Sequence, residues 1–161
     1  LVSEKQRDRV EGYIASGKAQ GAAVAYGGTR PAQLSSGFYL SPTVLEGVTS
    51  DMAVARDEIF GPVLCILSYE TETEAIRLAD DLDSGLGTSV YANDPEHALR
   101  LATQLRTRIC AINDAPLAGV GGPFGGYESS GAGRERGPQT LLGYLGVKSI
   151  ALSADWSPRS A

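Results

Sequence analysis

Between Pro62 and Asn113 the chain alternates between two hydrophobic periods, and this alternation limits its fold more than any other feature. Residues 62–69 form an apolar run of strand character. Thr71-Glu72-Thr73-Glu74 then has the spacing of a capping box, and Ala75, Ile76, Leu78, Ala79 and Leu82 supply an apolar helical stripe. Residues 88–92 read as the next strand. Asp94-Pro95 opens a second helix with proline at its first position, and Leu99, Leu101, Ala102 and Leu105 follow at helical spacing. Residues 108–113 read as a third strand. Strands joined by short helical connections must run parallel, and near-continuous apolar strands suit a sheet covered on both faces. The expected class is α/β, a parallel sheet with a βαβαβ core.

The flanks are less regular. Ser3-Glu4-Lys5-Gln6 is a second capping-box pattern, with Gln6 expected to serve the free amides of the first turn. Val10, Tyr13 and Ile14 share one face of that helix, and the stretch 17–21 ends it. Residues 22–26 suit a short strand closed by Gly27-Gly28, residues 30–37 a loop, and residues 38–40 and 43–48 short strands broken by Pro42. A glycine-rich stretch covers 119–137, followed by a helix at 139–145, a strand at 147–152 and a loose tail carrying Pro158. A length of 161 residues suits one domain with its own core.

Composition excludes several function classes. No apolar stretch reaches the length of a membrane span, and Leu1 leads at once into a polar helical pattern rather than a signal peptide, so the cytoplasm is the expected compartment. A net charge of −5 argues against nucleic acid and anionic membranes. The basic residues are scattered, apart from a group at Arg106, Arg108, Arg134 and Arg136. Cys65 and Cys110 each stand in an apolar run that reads as a buried strand, where a thiol behaves as a small hydrophobe with a raised pKa. Two isolated cysteines give neither a zinc spacing nor a disulfide framework. No metal site is expected.

The glycine-rich stretch is not a nucleotide fingerprint. It contains no lysine for a Walker loop, Phe124 occupies the third glycine position of a dinucleotide pattern, and the stretch follows the last strand of the unit instead of the first. It reads as a loop with unusual backbone demands. Glu58, just before Ile59-Phe60-Gly61-Pro62, is the carboxylate of interest. It suits either a solvated loop acid or an acceptor for the vicinal hydroxyls of a ribose, with Phe60 able to pack on a flat ring. His97, the lone histidine, reads as solvated surface, without a Ser or Cys at triad spacing. Asp80, Asp81 and Asp83 lack the calcium-loop pattern and read as a solvated helix end.

In sequence order, Gly37-Phe38-Tyr39-Leu40-Ser41-Pro42-Thr43-Val44, Asp57-Glu58-Ile59-Phe60-Gly61-Pro62-Val63, Pro123-Phe124-Gly125-Gly126-Tyr127 and Ser130-Gly131-Ala132-Gly133-Arg134-Glu135 resemble the C-terminal part of the NAD(P)-dependent aldehyde dehydrogenase superfamily, over residues 1 to about 152. The family oxidises aldehydes to carboxylic acids through a cysteine thiohemiacetal and hydride transfer to NAD(P)+. The resemblance implies that Glu58 holds the nicotinamide-side ribose and that Phe60 lies beside the nicotinamide. It also implies that Phe124 lies at the mouth of the substrate tunnel lined by residues 113–124, and that residues 147–152 join a sheet between subunits of a homo-oligomer. Residues 1–145 would be a partial catalytic domain, 146–152 an oligomerisation strand and 153–161 a tail.

The family's nucleophilic cysteine, oxyanion asparagine, general-base glutamate and dinucleotide domain match nothing here, and Cys65 and Cys110 do not align with the nucleophile. No catalytic residue is therefore assigned, and the chain is expected to be a piece of such an enzyme, inactive alone, whether engineered, proteolytic or a gene remnant. Ser84 replaces an aromatic common before Gly85-Leu86, Glu128 a lysine and Arg108 a small residue, which touches local packing and subunit contacts. Ala115, Leu117, Ala118 and Val120 favour an uncharged aldehyde. A stand-alone oligomerisation or interaction module built on the strand at 147–152 is the alternative, and an unrelated flavodoxin-like binder a third reading.

Overall fold

The computed structural model describes residues 1–82, 84–114, 119, 121–127 and 129–157, and the chain divides into two units, residues 1–82 and 83–161. The expectations for Asp83, Ala115, Leu117, Ala118, Val120, Glu128 and Pro158 lie outside the described residues.

The first unit begins with helix α1, Glu4–Ala19. Extended Ser3 caps it, its hydroxyl accepting the Gln6 amide at 3.2 Å. Glu4 in the first turn and Lys18 in the last complement the helix dipole. Val10, Ile14 and Gly17, spaced by four and three residues, turn one stripe inward. Strands β1, Ala23–Tyr26, and β2, Thr43–Glu46, pair antiparallel, and β2 pairs parallel with β3, Val63–Cys65. Helices α2, Ala53–Arg56, and α3, Glu72–Asp80, complete the unit. The core gathers Val10, Ile14, Leu40, Leu45, Val48, Met52, Val54 and Ile59. Its one deeply buried hydroxyl, Thr43, is fully engaged: it accepts the Gly28 amide and donates to the Ser41 carbonyl, both at 2.9 Å.

The second unit is built on strand β4, Gly87–Val90, helix α4, Pro95–Ala102, and strand β5, Ile109–Ile112, with β4 and β5 parallel from Gly87↔Ile109 to Val90↔Ile112. Asp94 caps α4 through the Glu96 amide at 3.0 Å, ahead of Pro95. Asn113 extends the pairing past the strand ends: its side-chain amide donates to the Ala92 carbonyl at 3.0 Å and accepts the Ala92 amide at 2.9 Å. A short helix α5, Gln139–Leu142, follows.

The class is α/β, with mixed rather than purely parallel pairing. The unit β4–α4–β5 is the expected parallel crossover. The described ladders hold β3 beside β2, and β1 adds an antiparallel edge, so the strands fall in two sheets. Residues 38–40 form no strand, the run at 62–69 keeps its ladder only at Val63–Cys65, and the helix at 139–145 shortens to four residues. The strand expected at 147–152 is absent from the described pairings: a strand needs a partner, and Val147 is 96% exposed. The helical stripes are also less covered than their periodicity implies. Ala75, Ile76 and Leu78 are half-buried while Ala79 is exposed, and in α4 only Ala98 is buried, Leu99 being exposed. Among the described residues no helix is long and apolar enough to cross a membrane.

Candidate functional site

Residues 57–61 leave α2 as a loop anchored inward by buried Ile59. Helix α1 grips this loop residue by residue. The Tyr13 hydroxyl donates to the Asp57 carboxylate at 3.0 Å, and the Arg9 guanidinium donates to the Glu58 carbonyl at 3.1 Å. The Gln6 side-chain amide donates to the Ile59 and Phe60 carbonyls at 3.2 and 2.9 Å. Gln6 therefore does not turn back to its own helix end as a capping box would have it. Gly61 lies so close to α1 that an added Cβ would sit 2.6 Å from a Val10 methyl. The Arg9 pKa is pushed up chiefly by Tyr13, through its hydrogen bond and then its charge, and less by the charges of Asp57 and Glu58, with desolvation opposing.

Two side chains face outward from this clamped backbone. Phe60 is held at φ 59°, a left-handed conformation rare for a bulky residue, and the residue is 71% exposed. Glu58 is exposed, and its carboxylate accepts no hydrogen bond among the described residues. An exposed carboxylate and an exposed aromatic ring two residues apart, on a backbone held by three hydrogen bonds from Gln6 and Arg9, can take a vicinal diol and a flat ring together.

Phe124 belongs to the second unit. It exchanges backbone hydrogen bonds with Glu135 at 2.7 and 2.6 Å, bringing the two ends of the glycine-rich loop together. Arg134 stiffens this loop from inside, donating to the carbonyls of Gly126, Ala132 and Gly133 at 3.0, 3.2 and 2.6 Å. Gly126 has no room for a side chain, because a Cβ would run into the Ser130 carbonyl. Leu86, Phe124, Ser130, Arg134 and Glu135 help line a cleft of about 340 Å³, and the Arg136 guanidinium lies 5.3 Å from the Phe124 ring centre.

Glu58 and Phe60 thus stand two residues apart on one clamped loop, while Phe124 has its own surroundings in the other unit. Cys65 and Cys110 are half-buried rather than buried, and burial raises both thiols above their ordinary pKa. His97 is half-buried and engaged, not simply solvated. Arg108, the departure noted at β5, stacks 4.7 Å over the Tyr127 ring. Among the described residues no three of His, Cys, Asp or Glu group to hold a metal ion. Sequence reasoning missed Gln6, Arg9 and Arg134 as supports. The spacing 6, 9, 10, 13 marks one helical face, but its partner loop lies some fifty residues on, beyond any local pattern.

The sequence model of the aldehyde dehydrogenase family matches residues 1–150. The chain is similar to aminoaldehyde dehydrogenase 1, peroxisomal, of Pisum sativum, with 43% identity over 150 residues, covering 93% of this chain and 30% of that protein. It is similar to betaine aldehyde dehydrogenase of Brucella anthropi, with 41% identity over 152 residues, covering 93% of this chain and 31% of that protein. Its fold is similar to the crystal structure of Mycobacterium tuberculosis aldehyde dehydrogenase complexed with NAD+, with a TM-score of 0.92 and 44% identity over 98% of this chain and 32% of that one. The chain spans about a third of the length of each of these relatives. With its loop motifs and fold matched over nearly their whole extent, the chain belongs to the aldehyde dehydrogenase family.

Proposed function

We propose that this chain is the cofactor-clasping and substrate-entry part of an NAD(P)-dependent oxidoreductase that converts aldehydes to carboxylic acids through a cysteine thiohemiacetal. Nicotinamide, when bound, accepts the hydride. Glu58 accepts hydrogen bonds from the hydroxyls of the adjoining ribose, and the Phe60 ring packs beside the nicotinamide. Phe124 forms part of the mouth through which a small aldehyde enters. The nucleophile and the dinucleotide domain come from sequence outside this chain, so the chain alone does not turn over. In the whole enzyme residues 62–113 form one βαβαβ sheet, residues 1–145 part of the catalytic domain, and residues 146–152 a strand that joins subunits of a cytoplasmic homo-oligomer, with 153–161 as tail.

The observation that carries this reading is the pairing of the open Glu58 carboxylate with the exposed, left-handed Phe60 on a backbone clamped to α1. Strain of this kind persists where the surroundings over-determine it, and it gathers at ligand clamps. The test is Glu58→Gln in the polypeptide made from the natural gene. Loss of hydrogen bonds to a charged acceptor should raise the KM for NAD+ or NADP+ by roughly ten- to a hundredfold, while the KM for aldehyde changes little. An unchanged cofactor KM sinks the assignment. Formation of NADH by the purified 161-residue chain sinks the claim that it is inactive alone.

The second reading, a stand-alone oligomerisation or interaction module, is favoured by one observation. Leu141, Leu142, Tyr144, Leu145, Val147 and Ile150 are all exposed over ten residues. A run of this kind is unusual on an isolated monomer, so the chain is expected to self-associate. Light scattering that gives a clean monomer at high concentration counts against it. The intact mass of the natural gene product separates the two readings: a product of several hundred residues with an upstream reactive cysteine supports the enzyme, and one starting near Leu1 supports the module.

A further inference from the structure

We propose that helix α1 is the template that sets the conformation of the cofactor loop, with Gln6 and Arg9 acting as positioning residues for Glu58 and Phe60. The inference rests on the reading of those two residues given above.

Three consecutive carbonyls, of Glu58, Ile59 and Phe60, each accept a hydrogen bond from a side chain of α1. Backbone carbonyls in a loop ordinarily turn to water or to other backbone amides, so three in a row answered by one helix define a path for the chain. The donors run along one helical face in reverse order to their acceptors, from Tyr13 at Asp57, through Arg9 at Glu58, to Gln6 at Ile59 and Phe60. Residues spaced by three and four along a helix are neighbours on its surface. The loop therefore lies antiparallel along the helix, and close packing of Gly61 against Val10 closes the grip at its far end.

The consequence falls on Phe60. A left-handed backbone at a bulky residue is strained and is retained only where neighbouring contacts impose it. The 2.9 Å bond from Gln6 to the Phe60 carbonyl and the 3.2 Å bond to Ile59 hold the peptide planes on either side of that residue. Arg9 does the same one residue earlier and is itself steadied on the Tyr13 ring, 5.2 Å from its centre, and by the Tyr13 hydroxyl at 3.1 Å. Neither Gln6 nor Arg9 needs to touch the cofactor to act. They decide whether the carboxylate and the ring point outward together.

The test has two arms. In the 161-residue chain itself, the amide-to-Hα coupling and the Cα shift of Phe60 report its backbone directly. Gln6→Ala should move both toward values for an extended or averaged loop, with α1 and the β1–β2 pairing unchanged in their own amide shifts. Arg9→Lys, which keeps a donor, should leave Phe60 near its original values, and Arg9→Met should not. A Phe60 signal that stays left-handed in Gln6→Ala and Arg9→Met overturns the inference. In the natural gene product, Gln6→Ala should raise the KM for NAD+ about tenfold while kcat and the KM for aldehyde change little. If Glu58→Gln raises that KM and Gln6→Ala does not, the positioning role is wrong and the cofactor loop stands. If neither variant moves it, the loop assignment itself has failed.

Discussion

Gly61→Ala is the most direct probe of how tightly the loop is seated on α1. The new Cβ would lie 2.6 and 2.9 Å from the two methyls of Val10, where ordinary carbon contacts begin near 3.5 Å. Something must therefore move by about 1 Å. Val10 has no freedom to swing away, being fully buried against the core. The loop cannot lift without stretching the bonds from Gln6, and φ at Gly61 is not left-handed, so no backbone term adds to the clash. Overpacking of this kind costs about 1–3 kcal/mol. Gly12→Ala is the control: in the same helix, with nothing within 4 Å of the added methyl, it should instead stabilise by about 0.5–1 kcal/mol. Urea unfolding should be followed through α1 amide resonances, because the single tryptophan, Trp156, lies in the other unit and need not report the same transition. Val10→Ala in the Gly61→Ala background removes the methyls that clash, so the double variant should be more stable than the sum of the single losses, by about 1 kcal/mol or more. Strictly additive losses would refute the packing argument.

Two further outcomes are expected. Burial raises the thiols of Cys65 and Cys110, so at pH 8 both should react with a disulfide reagent more slowly than glutathione and accelerate when the chain is unfolded in urea; native rates matching glutathione would overturn this. The Arg30 fork, at 2.6 and 2.7 Å, holds the Glu11 carboxyl below its ordinary 4.5 against the opposing effect of burial. A carboxylate with a lowered folded pKa adds stability above its unfolded pKa and loses it as pH falls through the folded one. Arg30→Met should therefore flatten the acid side of the stability profile below about pH 4.5, modestly because the pair is partly exposed, whereas parallel profiles for the two proteins would exclude the linkage.

Much of the local structure was legible because its causes are local. Ser3, Thr71 and Asp94 were readable as caps from their spacing to the first helical residues, and each accepts the expected backbone amide. Glu74, of the Thr71–Glu74 capping box, reaches one residue further back than the pattern implies, accepting the Glu70 amide at 2.9 Å. The four-residue helix α2 carries no side-chain cap and too few residues for a period to emerge, so nothing in its sequence announces it. Residues 147–152 are the opposite case, pairing with no strand among the described residues. Their composition suits a strand, but strand formation depends on a partner that composition cannot supply.

The candidate site divides along the same line. Glu58, Phe60 and Phe124 could be named from the motifs that hold them, since a motif records residue types in order. Arg134 stood inside a quoted motif without its role being visible, because three carbonyls within reach of one guanidinium is a property of a folded loop. By itself the sequence determined the α/β class, the starts of α1, α3 and α4 and the family, all of which follow from short-range periodicity, capping chemistry and motif order. Only the tertiary structure decided which strands pair and which helix face receives the loop at 57–61. It also decided that Phe60 is held left-handed, because these features depend on contacts between residues some twenty to fifty positions apart, whose free energy no local pattern encodes.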